Sequence, residues 1–281
     1  MELFKNSKLK YLIVANDAGA AHQIFYLIKK FRLKCCYFTS GPAKNIFNKK
    51  NNISFNEGIK KSDVVITGTS LKANLEKKAI KNCKFKSKKV VSIVDNYSNF
   101  KKRFILNKKI YYPDILITLD SLSYKEAKKY NNKNFQLLKI KDYYLEYVNK
   151  IKRQITKKNI IYFSSNWDRV AKKPIDLNLL EGFCSKMEKL KLNTNKRKIY
   201  IKLHPSEKPD KYLRTKFFKK FKIKIIKDID ILKNLKNFEI AGGCETYSLA
   251  ISKTFGLKTF NNIKNFNIKP KLGKLYKIKK I

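Results

Sequence analysis

Tyr11-Leu12-Ile13-Val14-Ala15, followed at once by Asn16-Asp17-Ala18-Gly19 and an amphipathic stretch from Ala20 to Phe31, reads as a strand, a tight turn and a helix. Five apolar residues in a row, without alternation, mark a strand buried on both faces. The small polar residues after it mark the turn. The same grammar then recurs. Leu33 to Phe38 is a strand and Pro42 to Phe47 a short helix. Asp63-Val-Val-Ile-Thr67 is a strand closed by Gly68-Thr69-Ser70 before a helix from Leu71 to about Asn82. Val90 to Val94 and Ile115 to Leu119 are further strands. Strand–helix–strand alternation builds a parallel sheet with helices on both faces.

A second series follows a charged, helical stretch from Asp142 to Lys158. Asn159 to Phe163 is a strand, Leu177 to Leu192 a helix, and Ile199-Tyr-Ile-Lys-Leu203 a strand that ends in His204-Pro205. Lys222 to Ile226 and Phe238 to Ala241 are strands, the latter followed by Gly242-Gly243 and a helix through Lys253. Leu257 to Phe260 completes the set, and the last dozen residues read as lysine-rich and weakly structured. The chain is therefore expected to be α/β, with two Rossmann-like domains over residues 1–142 and 143–281, their parallel sheets facing across a cleft.

Composition sets the outer bounds. With 281 residues, 43% hydrophobic, the chain can bury a full core. No apolar window approaches the roughly 18 residues a membrane span needs. Met1 to Lys10 lacks the apolar core of a secretory signal. Five scattered cysteines form neither a disulfide framework nor a zinc motif. These features predict a reduced, cytoplasmic protein. The net charge of +45 comes from sixty lysines and only six arginines. Nucleic-acid surfaces favour the arginine fork. Lysine accompanied by abundant Asn, Ile, Tyr and Phe is what A/T-rich codons produce, so nucleic acid is not the expected partner. The charge does predict attraction to anionic substrates and to anionic membrane surfaces. The tail from Lys269 to Lys280, lysines interleaved with Leu272, Leu275, Tyr276 and Ile278, is the expected point of peripheral contact at the inner face of a membrane.

Ligands of open parallel sheets bind beyond the carboxyl ends of the strands. Those ends offer Asn16 to Gly19, Gly68-Thr69-Ser70, Asp95-Asn96-Tyr97 and Asp120-Ser121 in the first half. The second half offers Ser164-Ser165-Asn166, His204 to Glu207 and Gly242-Gly243-Cys244-Glu245-Thr246. Glycines at a strand-to-helix turn let backbone approach a ligand, and the helix start presents free N–H groups to an anion. An ordinary tight turn accounts for the same residues. Neither G-x-G-x-x-G nor a P-loop is present. His204, with Lys202 two residues earlier, is placed to donate to a phosphate or a leaving group. Asp17 and Asp95 are candidate general bases, Asp17 equally a helix cap, and Asp120 is expected to cap the helix after it. Asp228-Ile229-Asp230 formally matches D-x-D, but Asp230 serves as well as a cap, and neither a metal site nor a cofactor is expected.

Lys202-Leu203-His204-Pro205 resembles the HP motif of bacterial GT-B glycosyltransferases, the sialyl- and polysialyltransferases and the glycerol- and ribitol-phosphate polymerases. The resemblance implies that His204 contacts the phosphate of a nucleotide-activated donor. It likewise implies that Ser164, Ser165 and Asn166 form the phosphate-facing loop, and that Gly242, Gly243, Cys244, Glu245 and Thr246 form the later helix start, with Glu245 toward the ribose. The acidic triplet that supplies the base in the sialyltransferases is not evident, leaving Asp17 and Asp95 as substitutes. The implied activity is metal-independent glycosyl or glycerophosphate-type transfer to a glycan or lipid-linked acceptor, in surface polysaccharide or glycolipid synthesis. Nucleotide-sugar epimerisation or hydrolysis on the same fold, and a non-catalytic basic nucleotide- or RNA-binding protein, are the alternatives.

Overall fold

A computed structural model describes residues 2–47, 52–151, 155–165, 168, 175–192, 197–204, 207–213, 215–226, 231–263 and 271–281. The chain divides into two compact units, Met1–Tyr147 and Val148–Ile281.

In the first unit the strands are β1 (Lys10–Ala15), β2 (Lys34–Thr39), β3 (Val64–Thr67), β4 (Lys89–Val94), β5 (Ile105–Leu106), β6 (Lys109–Ile110), β7 (Ile115–Thr118) and β8 (Gln136–Lys139). Six of them form one sheet in the order β2-β1-β3-β4-β7-β8, every pairing parallel, while β5 and β6 form a small antiparallel hairpin. The unbroken apolar run of β1 has the expected cause. Tyr11, Ile13 and Ala15 enter one core with Ile24, Leu27 and Ile66, whereas Leu12 and Val14 enter another with Val65, Ile80 and Val90. Each such fully buried side chain contributes about 1.5–3 kcal/mol.

The second unit holds β9 (Asn159–Phe163), β10 (Ile199–Lys202), β11 (Lys224–Ile226), β12 (Phe238–Gly243), β13 (Lys258–Asn261) and β14 (Lys279–Lys280). They form a parallel sheet in the order β11-β10-β9-β12-β13-β14. The helix Ile175–Lys189 lays Leu179, Leu180, Phe183, Cys184 and Met187 into the core, a stripe at helical spacing.

The strands all run parallel, but the order in which the chain adds them reverses once in each sheet, at β1/β3 in the first and at β9/β12 in the second. Such a switch point is where an open sheet leaves a crevice at its carboxyl edge. Several local expectations change. The helix expected over 142–158 is confined to Tyr143–Lys150 among the described residues. The strand expected to stop at Ala241 runs through both glycines. The tail expected to be weakly structured forms the helix Lys271–Leu275 and then β14, with Leu272, Ile278 and Ile281 buried. No helix among the described residues is long and apolar enough to cross a membrane.

Candidate functional site

At the first switch point, β1 ends in Asn16, whose backbone N–H donates to Glu76 Oε1 (2.9 Å) and whose side-chain amide donates to Asp17 Oδ1 (2.7 Å). Ser40 Oγ in turn donates to Asn16 Oδ1 (2.7 Å). Asp17 occupies the N-cap position of the helix Ala18–Phe31, yet its side chain makes no capping bond. Asp95, just beyond β4, lies against Gly19, where any Cβ would collide with its carboxylate. The glycine thus lets an acid rest on the first turn of a helix, at the positive end of its dipole. Arg103 fixes the other side of Asp95. Its Nη1 is 3.1 Å from Asp95 Oδ1 and 2.6 Å from the Thr69 carbonyl, and its Nε donates to the Ser98 carbonyl.

Two of these acids are held away from their ordinary titration. Burial raises the Asp95 carboxyl, Arg103 pulls it down and the Asp17 charge pushes it up, leaving it above the usual range. Glu76 is raised as well, by burial opposed by bonds from Ser70 and Asn16, and its Oε2 has no hydrogen-bond partner. Asp120 caps its helix through Ser123 N–H (2.8 Å), as expected.

At the second switch point, Ser165 Oγ donates to the Cys244 carbonyl (2.8 Å), tying the end of β9 to the end of β12. Ser164 is committed differently. Its hydroxyl donates to the Glu207 carboxylate, which also accepts from Tyr212 Oη (2.8 Å) and from the His204 backbone N–H (3.0 Å). The Glu207 N–H donates back to the His204 carbonyl (2.9 Å), so Glu207 braces the backbone of His204, an exposed residue. Lys211 pairs with Glu207, with Asp168 (3.1 Å) and with Asp176 (3.0 Å). Burial works against its charge, but Glu207, Tyr212 and Asp176 outweigh it and raise its pKa. Lys202 Nζ, half-buried, donates to the Leu203 carbonyl (3.3 Å).

The two glycines turn out to be strand residues. A Cβ on Gly242 would enter the Phe183 ring, and one on Gly243 would lie 2.8 Å from the Phe163 carbonyl oxygen. The turn proper is Cys244–Glu245, with Glu245 in the left-handed region at φ 49°. Its carboxylate accepts from Asn261 Nδ2 and from the backbone N–H groups of Leu272 (2.7 Å) and Gly273 (3.2 Å), where the helix Lys271–Leu275 begins. Thr246 is the N-cap of the helix Tyr247–Phe255 and makes no side-chain capping bond.

The structure therefore gathers Asp17 and Asp95 around Gly19 in one unit. In the other it gathers Ser165 and Cys244 directly, and Ser164 and His204 through Glu207. Asn166, Pro205, Ser206 and Asp228 to Asp230 lie outside the described residues. Glu76, Arg103 and Lys211 had no role in the sequence reading, and Glu207 appeared there only as part of a segment. Its position three residues after a strand-end histidine was the available signal.

No known family profile matches the chain, and no curated protein matches it by sequence. Solved structures do. UDP-GlcNAc 2-epimerase from Methanocaldococcus jannaschii superposes with a TM-score of 0.62 at 12% identity, covering 97% of this chain and 89% of that one. UDP-GlcNAc 2-epimerase from Neisseria meningitidis bound to UDP-GlcNAc gives 0.57 at 9% identity, covering 90% and 82%. An alpha/beta-galactoside alpha-2,3-sialyltransferase from Photobacterium phosphoreum gives 0.51 at 14% identity, covering 97% and 99%. At these identities the likeness is one of fold: the chain has the GT-B-type α/β architecture of two Rossmann-like units.

Proposed function

We propose that this protein acts on a nucleotide-activated sugar, transferring the glycosyl (or a glycerophosphate-type) group to a glycan or lipid-linked acceptor. In this reading residues 143–281 hold the donor nucleotide and residues 1–142 serve the acceptor. The observation that carries it is the second switch point. There an exposed histidine, its backbone N–H held by Glu207, and a helix start whose cap side chain makes no capping bond stand beyond the ends of β10 and β12, the two strands that flank β9. Backbone N–H groups at the start of Tyr247–Phe255 and the His204 imidazole would meet the donor phosphates and stabilise the charge that develops on the leaving nucleotide. Asp95, whose carboxyl is raised, is the proposed base for the acceptor hydroxyl, since a higher pKa makes a stronger base. The nucleotide-sugar ligand of the Neisseria neighbour supports the donor class.

A second reading rests on two neighbouring carboxylates, Asp95 against Gly19 and Asp17, whose charge acts on it. Asp17 and Asp95 together could remove a proton and return it, which suits epimerisation or hydrolysis. One assay separates the two. UDP-GlcNAc, a CMP-activated sugar and CDP-glycerol are each incubated with the protein, with and without an acceptor glycan. Acceptor-dependent nucleotide release supports transfer, whereas an isomerised or hydrolysed sugar without acceptor supports the second reading. A nucleotide at 100 times its dissociation constant should stabilise the fold by about 2.7 kcal/mol. The absence of a melting shift with UMP, CMP or GDP would defeat both.

A further inference from the structure

The first unit carries a surface that neither reading of the active site uses. The helix Leu75–Phe85 runs into β4 through Lys84-Phe85-Lys86-Ser87-Lys88-Lys89, and Phe85 stands 75% exposed at its tip. Beside it the β5–β6 hairpin turns through Asn107 and Lys108, both at positive φ, and lifts Lys109 and the 39%-exposed Ile110. Lys81 joins the two, its Nζ 5.7 Å from the Phe85 ring centre and 5.9 Å from that of Tyr111. The same loop borders an open basin of about 410 Å³ lined by Lys84, Ser87, Lys88, Lys89 and Asp114.

From this arrangement we infer that the surface formed by the 84–89 loop and the β5–β6 hairpin docks the protein on an anionic lipid bilayer. Phe85 and Ile110 enter the headgroup boundary, and the surrounding lysines meet lipid phosphates. An aromatic and an aliphatic tip rising out of a lysine field is the composition of an interfacial anchor. Each lysine near such a surface strengthens binding about fivefold. Single-stranded nucleic acid fits less well, because an isoleucine offers no face for a base to stack on. The nearby arginine, Arg103, is buried and tied to Asp95. The carboxyl-terminal tail is a poorer anchor than its sequence implied, because Leu272, Ile278 and Ile281 are committed to the second unit's core. The surface also lies at the amino ends of β4 and β7, opposite the edge that holds Asp95, so docking leaves that edge uncovered.

The test is flotation of the full chain with vesicles of phosphatidylcholine alone or of equal parts phosphatidylcholine and phosphatidylglycerol, at physiological salt. The expected result is binding to the anionic vesicles only. Phe85→Glu and the double change Lys84→Glu, Lys86→Glu should each weaken it about tenfold or more. Phe85→Ser, which adds no charge, should weaken it less but measurably. The exposure of Phe85 predicts unchanged melting for both single variants. Lys274→Glu with Lys277→Glu, the same charge change placed on the tail, should alter binding by less than about twofold. Equal loss in the tail variant would show diffuse charge attraction and overturn the proposal. Failure to bind anionic vesicles, together with Phe85-dependent retention of poly(U), would instead assign the surface to nucleic acid.

Discussion

The two switch points use the same backbone device and leave opposite electrostatics behind. At β9/β12 the acids are already answered: Glu207, Asp168 and Asp176 surround Lys211, and Glu245 caps the helix Lys271–Leu275. His204 is exposed there and the helix Tyr247–Phe255 begins without a side-chain cap, the setting proposed for an anion. At β1/β3 the acids stay in tension. Arg103 answers Asp95, while Asp17 lies close enough to push the titration of both Asp95 and Glu76 upward. The glycines repeat the contrast. Gly19 makes room for a carboxylate and Gly242 makes room for a phenyl ring. Under the proposed function, one parallel-sheet edge serves as a charge receiver and the other as a proton handler, according to which of its acids already have partners.

The largest effect that could break this contrast belongs to Asp95. Asp95→Asn should lower kcat by about 10²–10⁴-fold, while UMP or CMP still raises the melting temperature. If nucleotide binding falls in parallel, the division of labour is wrong. The base acts only when deprotonated, so activity should rise with pH through a midpoint above the ordinary aspartate range. Asp17→Asn removes a charge that raises the Asp95 pKa, and should shift that limb to lower pH. Next in size, Glu207→Gln should cost about 1–3 kcal/mol in chemical denaturation, because Ser164, Tyr212, His204 N–H and Lys211 all lean on that carboxylate. Gly242→Ala should cost about 1–3 kcal/mol by overpacking Phe183. Gly19→Ala meets only the end of a side chain, so it should reduce turnover more than stability. Smallest is the pair of caps. Asp120→Ala should cost about 1 kcal/mol, but Thr246→Ala less than about 0.5 kcal/mol, since its side chain makes no capping bond.

Strands buried on both faces were legible because nothing but apolar residues fits there: β1, β3, β4, β7 and β9 all stand where continuous runs occur. Strands whose stability comes from neighbours were not. β12 continues through Gly242 and Gly243, residues that weaken a strand, because the Phe183 ring fills the space a Cβ would take. β8 is an edge strand with two half-buried leucines, and β14 is two lysines held by pairing with β13. The site divides along the same line. Strand-end candidates such as Asp17, Asp95, Ser165 and His204 are named by position alone. Glu76 carries no signal of its own in the sequence, and only tertiary packing makes it a buried acid holding Asn16. Glu207 and Lys211 are i,i+4 partners of an ordinary kind until Ser164, Tyr212 and two aspartates close around them.

Each sheet ends in an edge strand on either side, β2 and β8 in the first unit, β11 and β14 in the second. Every one of them begins or ends in an exposed lysine: Lys34, Lys139, Lys224 and Lys279–Lys280. A charge at that position must be dehydrated before a second chain can add its own strand, which is how natural sheets resist edge-to-edge polymerisation. The lysine density is chain-wide, since the central strands β1, β4, β10 and β13 also begin or end in lysine, and it is enough to place one on each of the four open ladders. Acetylating those amines should leave the fold standing and let molecules stick to one another along their sheets. For this chain colloidal life and native structure are separable properties, and these edge lysines belong to the first.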